Sequence, residues 1–253
     1  MIAHVAEIWR HPIKSHGRES LMHVLLTEGK AIPWDRRWAV AHERSCFDHE
    51  RPSWQPCSEF KRVAHSPSLQ AITVHCDMPF QRLTLSHPKL PDLTIDPDNE
   101  NDALDFIQWV MPISHGGRLL PARLVRAPGK AMTDTSYPSI SLISMNSHRE
   151  VAAHLGQKLS PNRWRGNLIL ENVDAFAERD WIGKRIRVGL AELEIRESIT
   201  RCAATQASTR SGERDADTLG ALKAILGVAE MGVYGVVTKT GDLRAGDAVE
   251  VLQ

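Results

Sequence analysis

Apolar residues in this chain fall in short, interrupted runs rather than long helical stripes. Leu21–Leu26 (LMHVLL) and Arg37–His42 (RWAVAH) predict strands. Ala71–Cys76 and Arg82–His87 predict the arms of a hairpin around Asp77, Met78 and Pro79, with Pro33, Pro52, Pro56, Pro88 and Pro91 in loops. Asn101–Met111 predicts a short helix, with Leu104, Ile107 and Met111 at helical spacing and Pro112 stopping it. Ser139–Ser144, Asn167–Asn172, Arg185–Gly189 and Ala191–Glu197 predict further strands, the last with Leu193 and Ile195 alternating with charged residues. Ser147 and Glu150 form a Ser-x-x-Glu capping box, which predicts a helix through Val151–Leu155 ending at Gly156. A third helix is predicted over Ala216–Leu226, and Val233–Leu252 predicts two strand pieces around the turns Thr240-Gly241-Asp242 and Ala245-Gly246-Asp247.

Many short strands and few helices predict a mainly β, α+β chain. The pattern suits small barrels or sandwiches with helical decorations, divided near Gly116 and Gly117 into residues 1–117 and 118–253. No Gly-x-Gly-x-x-Gly follows a strand and no Walker loop is present, so a doubly wound nucleotide-binding sheet is not expected.

Composition narrows the function classes. With 31 basic and 31 acidic residues the chain has no global field to draw in nucleic acid or an anionic membrane. The four cysteines, Cys46, Cys57, Cys76 and Cys202, form no Cys-x-x-Cys pair and no disulfide framework. No stretch has the length of a signal-peptide core or a membrane span, so the expectation is a cytoplasmic protein with neither membrane nor nucleic acid as partner.

Candidate chemistry is scattered. His42, Cys46, Asp48 and His49 match no zinc spacing and read as a polar loop. No Gly-x-Ser-x-Gly elbow exists. Cations lie at strand ends and turns, at Lys14-Ser15, Arg36-Arg37, Arg163, Arg165 and Arg201, where they suit either solvated surface or convergence on one anion. Cys202, between Thr200-Arg201 and Thr205, is open to three readings at this level: buried space-filler, nucleophile or metal ligand.

These segments, taken in order, resemble the MOSC family, named for the C-terminal domain of molybdenum-cofactor sulfurases. The similarity is greatest to its two-part members, the amidoxime-reducing components and their bacterial relatives. HPIKSHGRESL resembles the family's Tyr-Pro-x-Lys-Ser opening and WDRRWAV its Asp-Arg-Arg-Trp strand, with ERPSW like the loop after it. YPSISLIS and NRWRGNLIL are similar to a strand and an Arg-Phe-Arg-Pro-Asn segment. TRCAATQASTRSGERD resembles the Arg-Cys-x-x-Thr … Thr-Gly run, MGVYGVV the Phe-Gly-x-Tyr element, and AGDAVEVL the terminal strand. The chain departs from the pattern at His11, Gly166, Met231 and Ser211.

The resemblance implies a barrel-like N-terminal β-rich domain over residues 1–117 and a second β-barrel domain with peripheral helices over 118–253. It implies a molybdenum cofactor (molybdopterin) with Cys202 as metal ligand and catalytic centre. It implies Lys14, Ser15 and Arg36 holding that cofactor from the N-terminal side. Arg165, Asn167, Thr200, Arg201 and Tyr234 would hold it from the other, with Ser136, Tyr137 and Ser139 in a further contacting segment. The implied reaction is two-electron reduction of N-hydroxylated compounds such as amidoximes and hydroxylaminopurines. No cysteine follows Cys202 to hold an iron–sulfur cluster, so electrons are expected from a separate flavoprotein reductase or ferredoxin-type protein. No pyridoxal phosphate role is expected. The alternative is a non-catalytic carrier of the cofactor or of sulfur on Cys202, working with cofactor-biosynthesis proteins; a relative that has lost the cofactor is a third reading.

Overall fold

The computed structural model describes residues 2–114 and 119–252. In chain order it contains β1 (His4–Arg10), β2 (Glu19–Leu21), β3 (His23–Leu26), β4 (Trp38–His42), β5 (Thr73–Asp77), β6 (Arg82–His87) and β7 (Leu90–Ile95). After α1 (Glu100–Val110) come β8 (Pro121–Arg126), β9 (Ile140–Ser144), α2 (Met145–His154), β10 (Leu168–Glu171), β11 (Arg185–Val188) and β12 (Ala191–Thr200). The chain closes with α3 (Thr218–Leu226), β13 (Glu230–Lys239), β14 (Gly241–Arg244) and β15 (Val249–Val251). The α+β class stands.

Eight strands form one sheet in the order β15-β11-β12-β13-β9-β10-β1-β2. All neighbours are antiparallel except β9 and β10, which run parallel. A bridge from His4 to Ala248, with Val249 N–H donating to Ala3 O at 2.8 Å, brings the β15 end back to β1. The sheet therefore curls, but its ladder does not close into a continuous barrel. Its concave side holds Val5, Ile8, Leu142, Leu168, Leu193 and Val233, all buried. The expected barrels are thus curled open sheets. The N-terminal half carries a β5-β6-β7 meander and a separate β4-β8 pair, with α1 packed on β7 and β8.

Strand pairing runs across the linear halves. β1 pairs with β10 and β3 with β14, whereas β8 pairs back onto β4. The predicted boundary at Gly116 and Gly117 lies outside the described residues.

Several local expectations change. The run Leu21–Leu26 is two strands: the chain breaks at exposed Met22, so β2 can pair with β1 and β3 with β14. The cap of α2 is Ser144, whose hydroxyl accepts from Asn146 N–H and Ser147 N–H. Ser147 is buried, its hydroxyl donating to Glu178, so the helix starts one turn earlier than the capping box suggests. Pro91 lies inside β7, a place proline can occupy because β7 is an edge strand. β12 continues past Glu197 to Thr200, and the last segment holds three strands because β13 starts at Glu230 and Gly241 already belongs to β14. No helix among the described residues is long and apolar enough to cross a membrane.

Candidate functional site

A polar cavity of about 530 Å³ lies where the two halves meet, lined by the loop after β1, the turn before β4, the segment before β10 and the ends of β12 and β13. Three of its residues have left-handed backbones: Ser15 (φ 65°), Arg36 (φ 49°) and Arg165 (φ 53°). Such conformations are costly for non-glycine residues and persist only where the surroundings hold them.

The surroundings do hold them. Asp35 is buried; it accepts from His11 N–H at 2.7 Å and pairs with Arg36. Burial alone would raise the Asp35 pKa, but Arg36 and the bonds from His11 outweigh it and hold the carboxyl below the usual range. Arg36 then donates to Arg165 O at 2.9 Å and to Asn167 Oδ1 at 3.3 Å. Asn167 is buried, donates to Trp9 O, and accepts from the Ser141 amide and hydroxyl. One hydrogen-bonded chain therefore ties β1, the Asp35-Arg36 turn, β9 and the Arg165 segment into a single frame.

Arg165 is the member of that frame with unmet demand. Its Nη2 donates to Gly17 O at 3.1 Å, while its buried Nη1 has no partner. Burial, then the charges of Arg36 and Arg18, push its pKa down to about 9, against the opposing pull of Asp35 and Asp134. At neutral pH it remains charged.

Arg201 contrasts with it. Its Nε and Nη2 donate to Met231 O at 2.8 and 2.5 Å, and its Nη1 donates to Trp164 O at 2.8 Å, with the guanidinium 5.7 Å from the Trp164 ring. These bonds fix the end of β12 to β13 and to the segment leading to Arg165. Gly232 permits this closeness: its φ is +77°, and a Cβ there would sit 2.5 Å from Leu142 O.

Cys202 follows directly. Its carbonyl accepts from the Thr205 amide and hydroxyl, each at 3.1 Å, and Arg163 holds Thr205 O at 3.0 Å. The backbone is pinned while the thiol is exposed at the cavity, so the buried space-filler reading falls away. The stretch beyond Cys202 closes onto the first half through Gly212 (φ +71°), where a Cβ would lie 2.5 Å from Ser68 Cα.

Of the residues singled out in the sequence, Lys14, Ser15, Arg36, Ser136, Tyr137, Arg165, Thr200, Arg201, Cys202 and Tyr234 all line this cavity. Ser139 and Asn167 are buried outside its lining; Ser139 Oγ accepts from Thr135 Oγ1. Lys14 donates to Met132 O and pairs with Asp134. Tyr137 donates to Glu197, and burial followed by that carboxylate raises its pKa. Burial, then Asp134, raises that of Tyr234. The sequence reading passed over Arg62, Asp134, Trp164 and Glu197, and considered Cys57 only as a neighbour of the His42–His49 stretch; all five also line the cavity. Trp164 lies inside the NRWRGNLIL segment, between the arginines that were singled out; Arg62, Asp134 and Glu197 lie in no periodic or motif-like pattern that could have marked them. Among the described residues no group of three or more His, Cys, Asp or Glu is placed to hold a metal ion.

Residues 132–250 match the model of the MOSC domain, and residues 2–115 match that of the MOSC N-terminal beta barrel domain. No curated protein matches the chain. Among solved structures, the YuaD protein from Bacillus subtilis is similar over 99% of this chain and 96% of its own, at 14% identity and a TM-score of 0.50. YiiM from Geobacillus stearothermophilus matches 45% of this chain and 54% of its own, at 14% identity and a TM-score of 0.35. At 14% identity the likeness to YuaD bears on the fold alone.

Proposed function

The chain belongs to the MOSC family, and on that premise we propose that it binds the molybdenum cofactor in this cavity and reduces N-hydroxylated compounds there. The observation that carries the reading is the pairing of an exposed thiol, Cys202, with a half-buried guanidinium, Arg165, whose buried Nη1 has no partner, in one cavity. The donor set fits the group: a soft thiolate ligand for molybdenum, a cation for a terminal phosphate, and hydroxyls at Ser15, Ser136 and Thr200 for the pterin. When bound, the cofactor supplies two-electron redox chemistry at the metal.

The protein's own residues supply the rest. Cys202 ligates through sulfur on a backbone pinned by Thr205 and Arg163. Arg165 balances negative charge, and the Asp35–Arg36–Asn167 frame ties the two halves together. Reduction of an N–OH group consumes two electrons and two protons and releases water. Tyr137, hydrogen-bonded to exposed Glu197 at the cavity wall, is placed to hold a proton there. Electrons come from a separate flavoprotein or ferredoxin-type donor. A second reading, a non-catalytic carrier of the cofactor or of sulfur, uses the same exposed thiol.

The test is molybdenum per chain in protein from a cofactor-producing host, for wild type and Cys202→Ser. Near-stoichiometric metal that falls in the variant, with turnover of an amidoxime by a dye donor, supports the reductase. Metal or a Cys202 persulfide without turnover supports the carrier. A wild type without metal sinks both cofactor readings.

A further inference from the structure

Six cationic side chains line the cavity, and their partners differ. Lys14 pairs with Asp134, Arg36 with Asp35 and Arg163 with Asp215. Arg201 is engaged by backbone carbonyls. Arg165 and Arg62 are left without a carboxylate partner among the described residues. Arg165 belongs to the frame described above. Arg62 comes from a different segment, after the turn Cys57–Glu59, which runs beside β4 through a bridge from Phe60 to Ala41 and Lys61 N–H donating to Val40 O at 2.8 Å.

The backbone at Arg62 is fixed, its carbonyl accepting from His65 N–H and Ser66 N–H, each at 3.0 Å. Its Nη1 donates to Cys57 Sγ at 3.2 Å, and its Nε is buried without a partner. Thioether and thiol sulfurs are weak acceptors, so this contact orients the guanidinium while leaving its charge unanswered. Both Arg62 and Cys57 line the same cavity as Cys202.

We infer that Arg62, oriented by Cys57, is the anion-recognition group on the substrate side of the cavity, and that the preferred substrates carry a carboxylate away from the group being reduced. The substrate class rests on the reductase reading above. A monoanion is favoured over a phosphate because the other nearby cations, Lys14 and Arg163, already face carboxylates.

The first experiment needs neither cofactor nor turnover. Cys57 in the full chain is alkylated with iodoacetate, an anionic carboxylate probe, and with neutral iodoacetamide, and the rates are read by mass spectrometry with exposed Cys46 as internal reference. The iodoacetate-to-iodoacetamide ratio at Cys57, relative to Cys46, should fall about tenfold in Arg62→Gln, the size of one charged hydrogen bond. Arg62→Lys should keep most of the preference. An unchanged ratio in Arg62→Gln overturns the inference. So does equal loss in Arg62→Lys and Arg62→Gln, or a Cys57 inert to both probes while Cys46 reacts fully. The second experiment compares a carboxylated with a neutral amidoxime: Arg62→Gln should raise KM for the first about tenfold more than for the second. A fall in bound molybdenum in Arg62→Gln would assign Arg62 to the cofactor instead and overturn the inference. A wild type that turns over neither substrate sinks the reductase reading, and the alkylation ratio still decides whether Arg62 recognises a carboxylate.

Discussion

On one side of the cavity a half-buried arginine just past a strand end has all three guanidinium nitrogens bonded; on the other, one sits in a left-handed turn with its Nη1 unpartnered. Arg201 closes β12 onto β13 and onto the Trp164 carbonyl. Arg165, three residues before β10, has its Nη1 unpartnered and its charge crowded by Arg36 and Arg18. Both are guanidiniums of the same cavity, and both lie within the range that matches the MOSC domain. The difference teaches that a residue can be essential to a site for opposite reasons. One builds the wall, so its free energy is realised in folding. The other is held ready for a ligand, so its free energy is realised only on binding.

Removing the builder should have the largest effect on stability. Arg201→Met strands the carbonyls of Met231 and Trp164 in a protein interior. The expected loss is about 3 kcal/mol, read as a lower urea midpoint with unchanged slope. A variant as stable as wild type would mean that these bonds are replaced by water at no cost, and the comparison would collapse.

Acid should act next, through the histidines behind the frame. His11 and His16 are buried, with Nδ1 and Nε2 respectively unpartnered. Burial, with Arg165 and Arg36, pushes the His11 pKa down to about 3. Burial also pushes His16 down to about 3, against the opposing effect of its bond to Lys14 O. Between that value and the ordinary 6.5, the unfolded chain binds a proton that the folded chain refuses. Their contribution is therefore complete above pH 6.5 and is lost as pH falls toward 3. From pH 7 to pH 5 the wild type should lose about 2 kcal/mol more than His16→Gln. Urea titrations at the two pH values read it, and parallel losses in both proteins would show that His16 already carries a proton when folded.

Much of this fold is visible in the chain because strands alternate. Leu193 and Ile195 against Glu192, Glu194 and Arg196 mark β12 plainly. What alternation hides is pairing. Leu21–Leu26 looks like one strand because nothing in its pattern reports that β2 answers to β1 and β3 to β14. The site divides the same way. Lys14, Arg36, Arg165 and Cys202 could be named from motif resemblance, but their convergence is a product of strands crossing between the halves. Asn167 shares a motif with Arg165 yet acts from behind the wall, because its side chain is consumed by Ser141, Trp9 and Arg36. Arg62 and its contact with Cys57 escaped notice because a contact between a guanidinium and a sulfur five residues away leaves no periodic trace.

The smallest stability effect should come from the cation held ready. Arg165→Gln removes a half-buried charge that has one bond, to Gly17 O, and one orphan nitrogen, Nη1. Losing the first costs and losing the second gains, so folding stability should change by no more than about 1 kcal/mol. The anion response should nevertheless disappear. A phosphate that binds only the folded protein raises its stability by about 2.7 kcal/mol at a hundred times its dissociation constant. Cofactor-free wild type should therefore melt at a higher temperature in inorganic phosphate than in chloride of equal ionic strength, and Arg165→Gln should melt at the same temperature in both. Arg201→Met, although less stable throughout, should keep part of the phosphate response because Arg165 is still present. If Arg165→Gln instead proves as destabilising as Arg201→Met, the unpartnered Nη1 is a structural bond in disguise, and the two arginines perform one task rather than two.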